Sequence, residues 1–546
     1  MKFLLFTIMG IGYCSSSFAK TYNTFFNSGG TQQSLSIDQD SVVVNIVEKK
    51  NKKSILPDAS AAHFIQMGLS VVERNSIQSK QQIIGYPVVF HASTNSVGVL
   101  THEIVVETRA ANTMKFLKAD GYLSQVPSQI IPNLIVVSYS SPIKALEAAN
   151  ALSKSPAVKY AHPNFLLPKN FREIKITEPL FGSQWYLENT GQLGGEKGAD
   201  ISAKGAWGYT KGSPNIIIAV LDAGFEKNHP ELAPIWFTNK NEIIRNGIDD
   251  DKNGFVDDIN GWNFGDNSGN INKGVYTEHG TAVAGLVAAR ENNKGIIGAC
   301  PSCTVLPVVV PWTAAKDAEA FYYADKMGAD IISNSWGYEI GTPNMDVVVE
   351  AINKVAHTGR GGKGTIILFA MNNRNKDDCS GDKPDISSLE SVVAISASSD
   401  QDKKVSNSAW GHCMEFLAPS AESGRARISS TDMTGNAGYN NSRSSGDFLN
   451  QDYTKDFSGT SAATPIAAGV FGLMLSINSD LTRDEAVGLV LSTTDKVHPE
   501  LANYSLKTGF SLKYGYGRIN AEKAVRAAQV FRKYMKKSAQ KKAKTI

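Results

Sequence analysis

The stretch Ile216-Ile217-Ile218-Ala219-Val220-Leu221 is followed directly by Asp222. Six consecutive apolar residues without alternation are typical of a strand that is buried on both faces, as in the middle of a parallel sheet. Similar apolar runs, separated by helical patterns at 279–290, 316–327 and 346–357, recur at 304–310, 331–333, 365–370 and 392–397. Strands that alternate with helices predict a doubly wound, mostly parallel α/β sheet beyond residue 180.

Three residues with reactive side chains stand where these elements meet. Asp222 follows the 216–221 strand, His279 opens a predicted helix in Glu278-His279-Gly280-Thr281, and Ser461 opens another in Gly459-Thr460-Ser461-Ala462. Functional groups collect at such strand ends and helix starts in doubly wound sheets. Singly, each residue has a structural interpretation as a turn former, a hydrogen-bonded histidine or a helix N-cap. Together, Asp, His and Ser in that order match a known catalytic triad.

The strings around this trio resemble the subtilase family of serine proteases in three separate places. The resemblance begins near Glu178-Pro179-Leu180-Phe181, ends near Tyr516-Gly517-Arg518-Ile519 and covers roughly residues 178–527. It implies a subtilisin-like catalytic domain in which His279 takes the proton of Ser461 while Asp222 orients the imidazole. The implied function is a serine endopeptidase that hydrolyses peptide bonds through an acyl-enzyme on Ser461.

The resemblance also implies an Asn side chain that donates to the oxyanion. The matching stretch reads Phe369-Ala370-Met371-Asn372-Asn373. Aligning Phe-Ala onto the family pattern makes Asn373 the donor, whereas a shift by one residue would make it Asn372. With Asn373 as donor, Asn372 stands where the family usually has Gly and adds a side chain beside the cleft.

A further segment, Ser335-Trp336-Gly337, follows the predicted strand at 330–334. It resembles the edge segment whose backbone pairs with the substrate like an added strand. Gly337 would leave room for that approach, so the resemblance implies an extended peptide or protein as substrate.

An acid-rich loop runs from Asn246 to Asp258. Oxygen ligands at alternate positions with Gly254 at the sixth resemble a calcium loop, although Asn260 stands where a Glu is expected. A structural calcium ion is predicted here, and a merely solvated acidic turn is the alternative. The candidate ligands are Asp249, Asp251, Asn253, the carbonyl of Phe255, and Asp257.

The first nineteen residues have the layout of an export signal. Lys2 precedes an apolar stretch at 3–13, and Ser17-Phe18-Ala19 forms a small-residue cleavage site. Cleavage after Ala19 is therefore predicted, with the product secreted, periplasmic or on the cell surface. Lipid attachment at Cys14 is the alternative, but Tyr13 is bulky for such a signal.

Residues 99–165 show a second pattern, with predicted strands and helices that suggest a small α/β sandwich. The predicted strands are 103–107, 134–138 and 158–161, and the predicted helices are 110–119 and 142–153. The resemblance implies that residues 20–175 are a propeptide, with 99–165 as its inhibitor and chaperone domain. The cut is expected between residues 165 and 180, so the chain would be a self-inhibited precursor.

Four cysteines remain after the predicted signal: Cys300, Cys303, Cys379 and Cys413. An even number in an exported chain favours disulfides. Cys300 and Cys303 could close locally, which would leave Cys379 with Cys413, and free thiols or a metal site are the alternatives.

The overall charge and the C-terminal residues limit which partners can be expected. A net charge of +3 over 546 residues is too small to indicate a nucleic-acid partner. A monomer without a permanent membrane span is expected. Basic residues concentrate at 531–546, where a solvated, frayed tail is predicted and a contact with a membrane surface or polyanion is the alternative.

Two rival functions remain open. One is a catalytically impaired subtilase scaffold that acts as a binding protein. Its only support is Asn372, which stands where the family usually has Gly. The other is a dibasic-specific processing protease of the kexin type. Such enzymes tend to carry a second Asp after the catalytic one and acidic residues after Ser-Trp-Gly, where this chain has Ala223 and Tyr338-Glu339-Ile340-Gly341.

Overall fold

The computed structural model describes residues 21–28, 31–38, 41–45, 69–73, 88–91, 97–109, 120–128, 132–166, 175–338, 342, 345–380, 385–441 and 446–543. The predicted export signal at 1–19 and the predicted helix at 110–119 lie outside these residues. The chain divides into two compact units, Met1–Glu173 and Ile174–Ile546.

The first unit is built around an antiparallel sheet with the strand order β1-β2-β5-β6-β8-β7, in which β9 also pairs with β6. A separate hairpin joins β3 and β4, and helix α1 packs on β6 and β9. The elements are β1 Thr21–Ser28, β2 Thr31–Asp38, β3 Ser41–Asn45, β4 Leu69–Glu73, β5 Val88–His91, β6 Val97–Thr108, β7 Tyr122–Pro127, β8 Leu134–Tyr139, α1 Pro142–Leu152 and β9 Val158–Leu166.

The strands and helix predicted within 134–161 are confirmed. Helix α1 begins after Ser141, whose side chain accepts from the Lys144 N–H, and Pro142 occupies its first turn. Strand β7 was not predicted, because it carries no apolar run and its Leu123 and Val126 side chains are exposed.

The second unit contains the predicted parallel sheet, with the strand order β11-β12-β10-β13-β14-β15-β16. All of its neighbouring strands pair in parallel, which confirms the doubly wound fold. The strands are β10 Ile217–Asp222, β11 Trp262–Asn263, β12 Thr304–Val309, β13 Ile331–Asn334, β14 Ile366–Ala370, β15 Val393–Ser398 and β16 Met414–Pro419.

Helices cover both faces of this sheet. Ile218 and Val220 of β10 belong to a core shared with α3, α6 and α9, whereas Ala219 and Leu221 belong to one shared with α4 and α5. Burial on both faces explains why the strand is apolar at every position. The helices are α2 Ala203–Trp207, α3 Thr277–Ala288, α4 Ala314–Lys326, α5 Asp346–Gly362, α6 Thr460–Ile477, α7 Arg483–Thr493, α8 Pro499–Ala502 and α9 Ala521–Ala543.

The strand order places a topological switch point at β10. The chain passes from β12 on one side of β10 to β13 on the other. The connections leave a crevice at such a point, beyond the carboxyl ends of the strands. Asp222 is the last residue of β10 and therefore lies at this crevice. A short antiparallel pair, β17 Ile428–Thr431 and β18 Tyr453–Phe457, precedes helix α6.

Two further predictions can be compared with the structure. Disulfides join Cys300 to Cys303 and Cys379 to Cys413, as the local pairing predicted. The prediction of a frayed tail was wrong up to residue 543, because helix α9 continues to Ala543. Its Ala-, Lys- and Arg-rich sequence favours a helix and contains neither Gly nor Pro.

Among the described helices, α6 is the one that is long and apolar enough to cross a membrane. Of the 18 residues of α6, 83% are buried inside the fold. The apolar character of α6 is therefore that of a core helix.

Candidate active site

Asp222 and His279 form a hydrogen-bonded pair at the crevice. Asp222 is 2% exposed, and its Oδ1 and Oδ2 lie 2.8 and 3.1 Å from His279 Nδ1. The Ala223 N–H also donates to Asp222 Oδ1, at 2.7 Å. With one ring nitrogen directed to the carboxylate, the other is left to accept a proton.

A glycine allows helix α3 to approach β10 this closely. A Cβ atom at Gly280 would lie 2.1 Å from the Gly224 carbonyl oxygen and 3.1 Å from Asp222 Cβ. Any side chain at this position would push the helix that carries His279 away from Asp222. The glycine in the His279 string is therefore a packing requirement of the Asp–His pair.

The pair also changes the basicity of the imidazole. Burial on its own would lower the pKa of His279, but the negative charge of Asp222 and its hydrogen bond act in the opposite direction. Their combined effect is larger, so the pKa of His279 is raised above its ordinary value of 6.5.

Ser461 is the second residue of α6, next to the same crevice. Gly459, two residues before Ser461, has φ +76°. Residues with a side chain rarely adopt this backbone conformation. Ser461 Oγ donates to the Ser335 carbonyl at 3.1 Å, and Ser335 Oγ donates to the Ser461 carbonyl at 3.0 Å. Pro465 lacks the N–H that would otherwise bond to that carbonyl within the helix, so the carbonyl is left for Ser335.

Within the residues that the structure describes, no hydrogen bond joins Ser461 Oγ to His279. The hydroxyl points instead to the Ser335 carbonyl. Hydrogen bonds between catalytic groups are often long or poorly aligned without substrate.

The two candidate oxyanion donors have different surroundings. Asn373 Oδ1 accepts from the Thr460 N–H at 3.0 Å, which fixes its amide beside Ser461. Asn372 Nδ2 donates instead to Asp385 Oδ2 at 3.1 Å, and its N–H donates to Asp378 Oδ2 at 2.8 Å. The Asn373 side chain is the one directed to the start of α6.

The edge segment is held against the sheet by Trp336. Its Nε1 donates to the Leu221 carbonyl at 2.8 Å, and its ring packs edge-on against Phe369. Gly337 is exposed, so the backbone at this position is open to solvent.

Asp317, which was not predicted as a functional residue, anchors the end of this segment. Tyr338 donates a hydrogen bond to the buried Asp317 carboxylate on α4. Burial raises the pKa of Asp317 to about 6. The only signal in the sequence was an acid on the apolar side of a predicted helix.

The acid-rich loop brings together two of the five predicted calcium ligands. Carboxylate oxygens of Glu242, Asp249 and Asp251 lie within 4.8 Å of one another. Glu242 was not predicted, because it lies outside the loop pattern. Burial acts to raise the pKa of Asp249, but N–H donors led by Gly254 outweigh it, so this pKa is lowered and the carboxylate favours its charged form.

The third predicted carboxylate, Asp257, is not part of this group. Asp257 accepts from the N–H groups of Asn246 and Gly247 at 3.1 and 3.0 Å. Asn253 Nδ2 donates to Asp251 and Asp258, and its Oδ1 accepts from the Phe255 N–H at 2.7 Å. Asn253 and the Phe255 carbonyl stay predictions as calcium ligands.

This fold and this site define a doubly wound α/β protein with Asp, His and Ser side chains at one crevice. The model of the subtilase family matches residues 213–517. The chain belongs to the subtilase family of serine proteases.

Two relatives show how far the similarity extends. A calcium-dependent protease of Nostoc sp. is 32% identical over 400 residues, which are 70% of this chain and 56% of the relative. Neuroendocrine convertase 2 of Rattus norvegicus is 30% identical over 380 residues, 65% of this chain and 53% of the relative. The chain spans about half the length of these relatives.

A solved structure supports the fold. The serine protease of Aeromonas sobria, in complex with its chaperone, superposes with a TM-score of 0.54. The sequences are 20% identical, and the match covers 64% of this chain and 67% of the other.

Proposed function

We propose that this chain is a serine endopeptidase in which Ser461, His279 and Asp222 carry out the reaction. The observation that supports this most directly is the Asp222–His279 hydrogen bond at 2.8 Å, at the crevice where Ser461 lies in the first turn of helix α6. Family membership supports the same reaction.

The first half of the reaction forms an acyl-enzyme. Ser461 Oγ attacks the carbonyl carbon of the peptide bond as its proton passes to His279 Nε2. The imidazolium is stabilised by Asp222 and then protonates the leaving amine as the C–N bond breaks. In the second half, water attacks the ester with its proton going to His279, and Ser461 Oγ leaves with a proton.

Charge that develops on the carbonyl oxygen is stabilised by two donors. The Ser461 N–H at the start of α6 is one, supported by the positive end of the helix dipole. Asn373 Nδ2 is the other, because Oδ1 of the same amide is occupied by Thr460. Neither donor has to reorganise when the oxyanion forms.

The substrate would lie in the crevice as an extended peptide. Its backbone on the acyl side would pair with Ser335–Gly337, whose exposed glycine allows close approach. The leaving peptide would pass the cavity of about 450 Å³ that is lined by Asn373, Gly459, Glu422 and Arg427 among others.

Export and maturation are further parts of the proposal. Two disulfides are consistent with an oxidising compartment. The first unit would be the propeptide and the second the peptidase. A parallel sheet assembles from non-local contacts and folds slowly, so a folding helper in the same chain would be useful.

A calcium ion would fit the group formed by Glu242, Asp249 and Asp251. Three carboxylates with oxygens within 4.8 Å are hard oxygen donors of the kind that calcium prefers. When bound, the ion would neutralise this charge and cross-link the loop. A calcium-dependent protease among the relatives supports the same proposal.

Calcium removal therefore has an expected effect on stability. With EGTA, the temperature of unfolding should fall by several degrees, and added calcium should restore it, because a ligand at about 100 times its Kd stabilises by about 2.7 kcal/mol. Asp249→Asn should abolish this calcium response, whereas Asp480→Asn at an exposed position should keep it. Equal unfolding temperatures in EGTA and calcium would exclude the site.

Labelling of Ser461 by a fluorophosphonate tests the proposed reaction. Mature protein should be labelled, with a rate that rises with pH around a value above 6.5, because only neutral His279 can accept the serine proton. Asp222→Asn removes the charge that raises this pKa, so it should slow labelling and move the midpoint to lower pH. Mature protein that is not labelled would support the rival binding scaffold.

A further inference from the structure

Positive charge is concentrated on and next to helix α9. Residues 521–546 contain nine Lys or Arg residues and a single acid, Glu522, so their net charge is +8. The whole chain has a net charge of +3, so residues 1–520 together have −5. A block of one sign in a chain of the opposite sign is typical of a surface that binds an anionic partner.

The buried residues and the basic residues of α9 occupy opposite faces of the helix. Four small residues face the core and are buried: Ala521, Ala524, Val525 and Ala528. Positions 523, 526, 530, 533, 537 and 541 recur every three or four residues, so they share the opposite face. These positions are Lys, Arg, Val, Lys, Lys and Lys. The face of α9 away from the core is therefore a basic stripe that Val530 interrupts.

The fold compensates only part of the charge in this stripe. Lys523 forms an ion pair with Asp495, and Arg526 lies 4.0 Å from Glu522. Lys533 is exposed and forms no ion pair with any residue that the structure describes. Exposed ion pairs are weak because water screens them, so the stripe keeps a positive potential.

The basic stripe borders an apolar groove between α7 and α9. The groove has a volume of about 620 Å³, and its apolar walls are Leu489, Ala527, Val530 and Phe531. The Val530 side chain is 65% exposed, and Met535 further along the helix is 48% exposed. Exposed apolar side chains are ordinary when they are scattered. Here they lie beside basic residues, so a matching partner needs both anionic and apolar parts.

A bilayer with anionic phospholipids has both of these properties. Its headgroups attract Lys and Arg, and each such residue near the surface strengthens binding by about fivefold. Exposed apolar side chains of a surface helix can enter the boundary between headgroups and acyl chains. A nucleic acid or an acidic polysaccharide would pair with the charges but would leave Val530 and the groove without a partner. The apolar residues therefore favour a lipid surface.

We propose that helix α9 and the α7–α9 groove bind this protein to the surface of a membrane that contains anionic phospholipids. Arg526 and Lys533 would contact the phosphates, and Val530 would enter the apolar boundary. The helix would lie on the membrane without crossing it, because its other face stays packed in the core and Arg532 donates to the Ile477 carbonyl at 2.8 Å. This contact would keep an exported protein at the membrane, and it does not depend on the proposed peptidase activity.

Sedimentation of the purified protein with lipid vesicles tests the proposal. Vesicles of phosphatidylcholine with about one third phosphatidylglycerol should bind the protein, those of phosphatidylcholine alone should not, and about 0.5 M NaCl should release most of it. Lys533→Glu should weaken binding by about 10- to 30-fold, and Val530→Asp by at least about 10-fold. Lys240→Glu makes the same charge change at an exposed position beside the acid-rich loop, so it should weaken binding by less than about 3-fold.

The substituted side chains are exposed, so unfolding temperatures and peptide hydrolysis should stay at the wild-type level and separate lost binding from lost folding. Wild-type affinity for the anionic vesicles in either Lys533→Glu or Val530→Asp would overturn the proposal, as would equal binding to neutral vesicles. Protein that binds heparin but not the vesicles would indicate a polyanion as the partner and would also overturn it. Vesicle binding by protein that fluorophosphonate does not label would leave this proposal intact and count against the peptidase alone.

Discussion

Replacing Ser461 by Ala is expected to reduce kcat by roughly 10⁴- to 10⁶-fold. The physical reason is that the alanine variant cannot form the acyl-enzyme, while substrate binding and the oxyanion donors remain. A loss of this size is typical of serine proteases that lack their nucleophile. Steady-state hydrolysis of a peptide amide by purified mature protein measures the loss.

The three residues should act as one unit. Because His279 has no proton to accept once the Ser461 hydroxyl is gone, adding His279→Ala to Ser461→Ala should cost little more. If the two losses multiplied instead, the groups would act independently and the proposed relay would be wrong.

A matched serine separates this effect from a general loss of stability. Ser492 is on α7, where its Oγ donates to the Leu489 carbonyl of the same helix. Ser492→Ala should keep full activity. Unfolding temperatures of both variants should stay near that of the wild type, because Ser461 Oγ donates a single hydrogen bond, to the Ser335 carbonyl.

The fold of the second unit could be predicted because its signals are local. A central strand of a parallel sheet has to be apolar on both faces, and β10 shows this over 216–221. Asp222 could be placed at the crevice because it follows that strand directly. The local pairing of Cys300 with Cys303 was a possibility that their spacing allowed, and the structure contains it.

The residues that sequence analysis missed act through contacts between distant segments. Asp317 on α4 is joined to Tyr338, and Asp385 reaches both Asn372 and the surroundings of Gly337. Glu242 lies outside the loop whose spacing predicted calcium ligands. An isolated acid has no pattern in the sequence, so its partners become visible only in the folded chain.

The choice between the two asparagines also required the folded chain. Spacing alone allowed either Asn372 or Asn373, since a shift of one residue changes the alignment. In the structure the two side chains diverge, one to Asp385 and the other to Thr460 beside Ser461. This divergence leads to a second prediction with a large expected effect.

Asn373→Ala is expected to lower kcat by about 10²- to 10³-fold with little change in KM, because an oxyanion donor acts mainly in the transition state. Asn373→Asp should be at least as damaging, since a carboxylate next to the oxyanion replaces a donor with a negative charge. Both variants should remain folded, with unfolding temperatures near that of the wild type, as a thermal unfolding measurement would show.

Asn372→Ala is the matched control at the adjacent position. It removes a hydrogen bond to Asp385 and no donor to the oxyanion, so kcat should fall much less. If Asn372→Ala gave the larger loss of kcat and Asn373→Ala the smaller, the donor would be Asn372. In that case the Asn373 amide, which accepts from the Thr460 N–H, would serve only to hold the start of helix α6. The Asn372 side chain would then have to turn from Asp385 to the oxyanion.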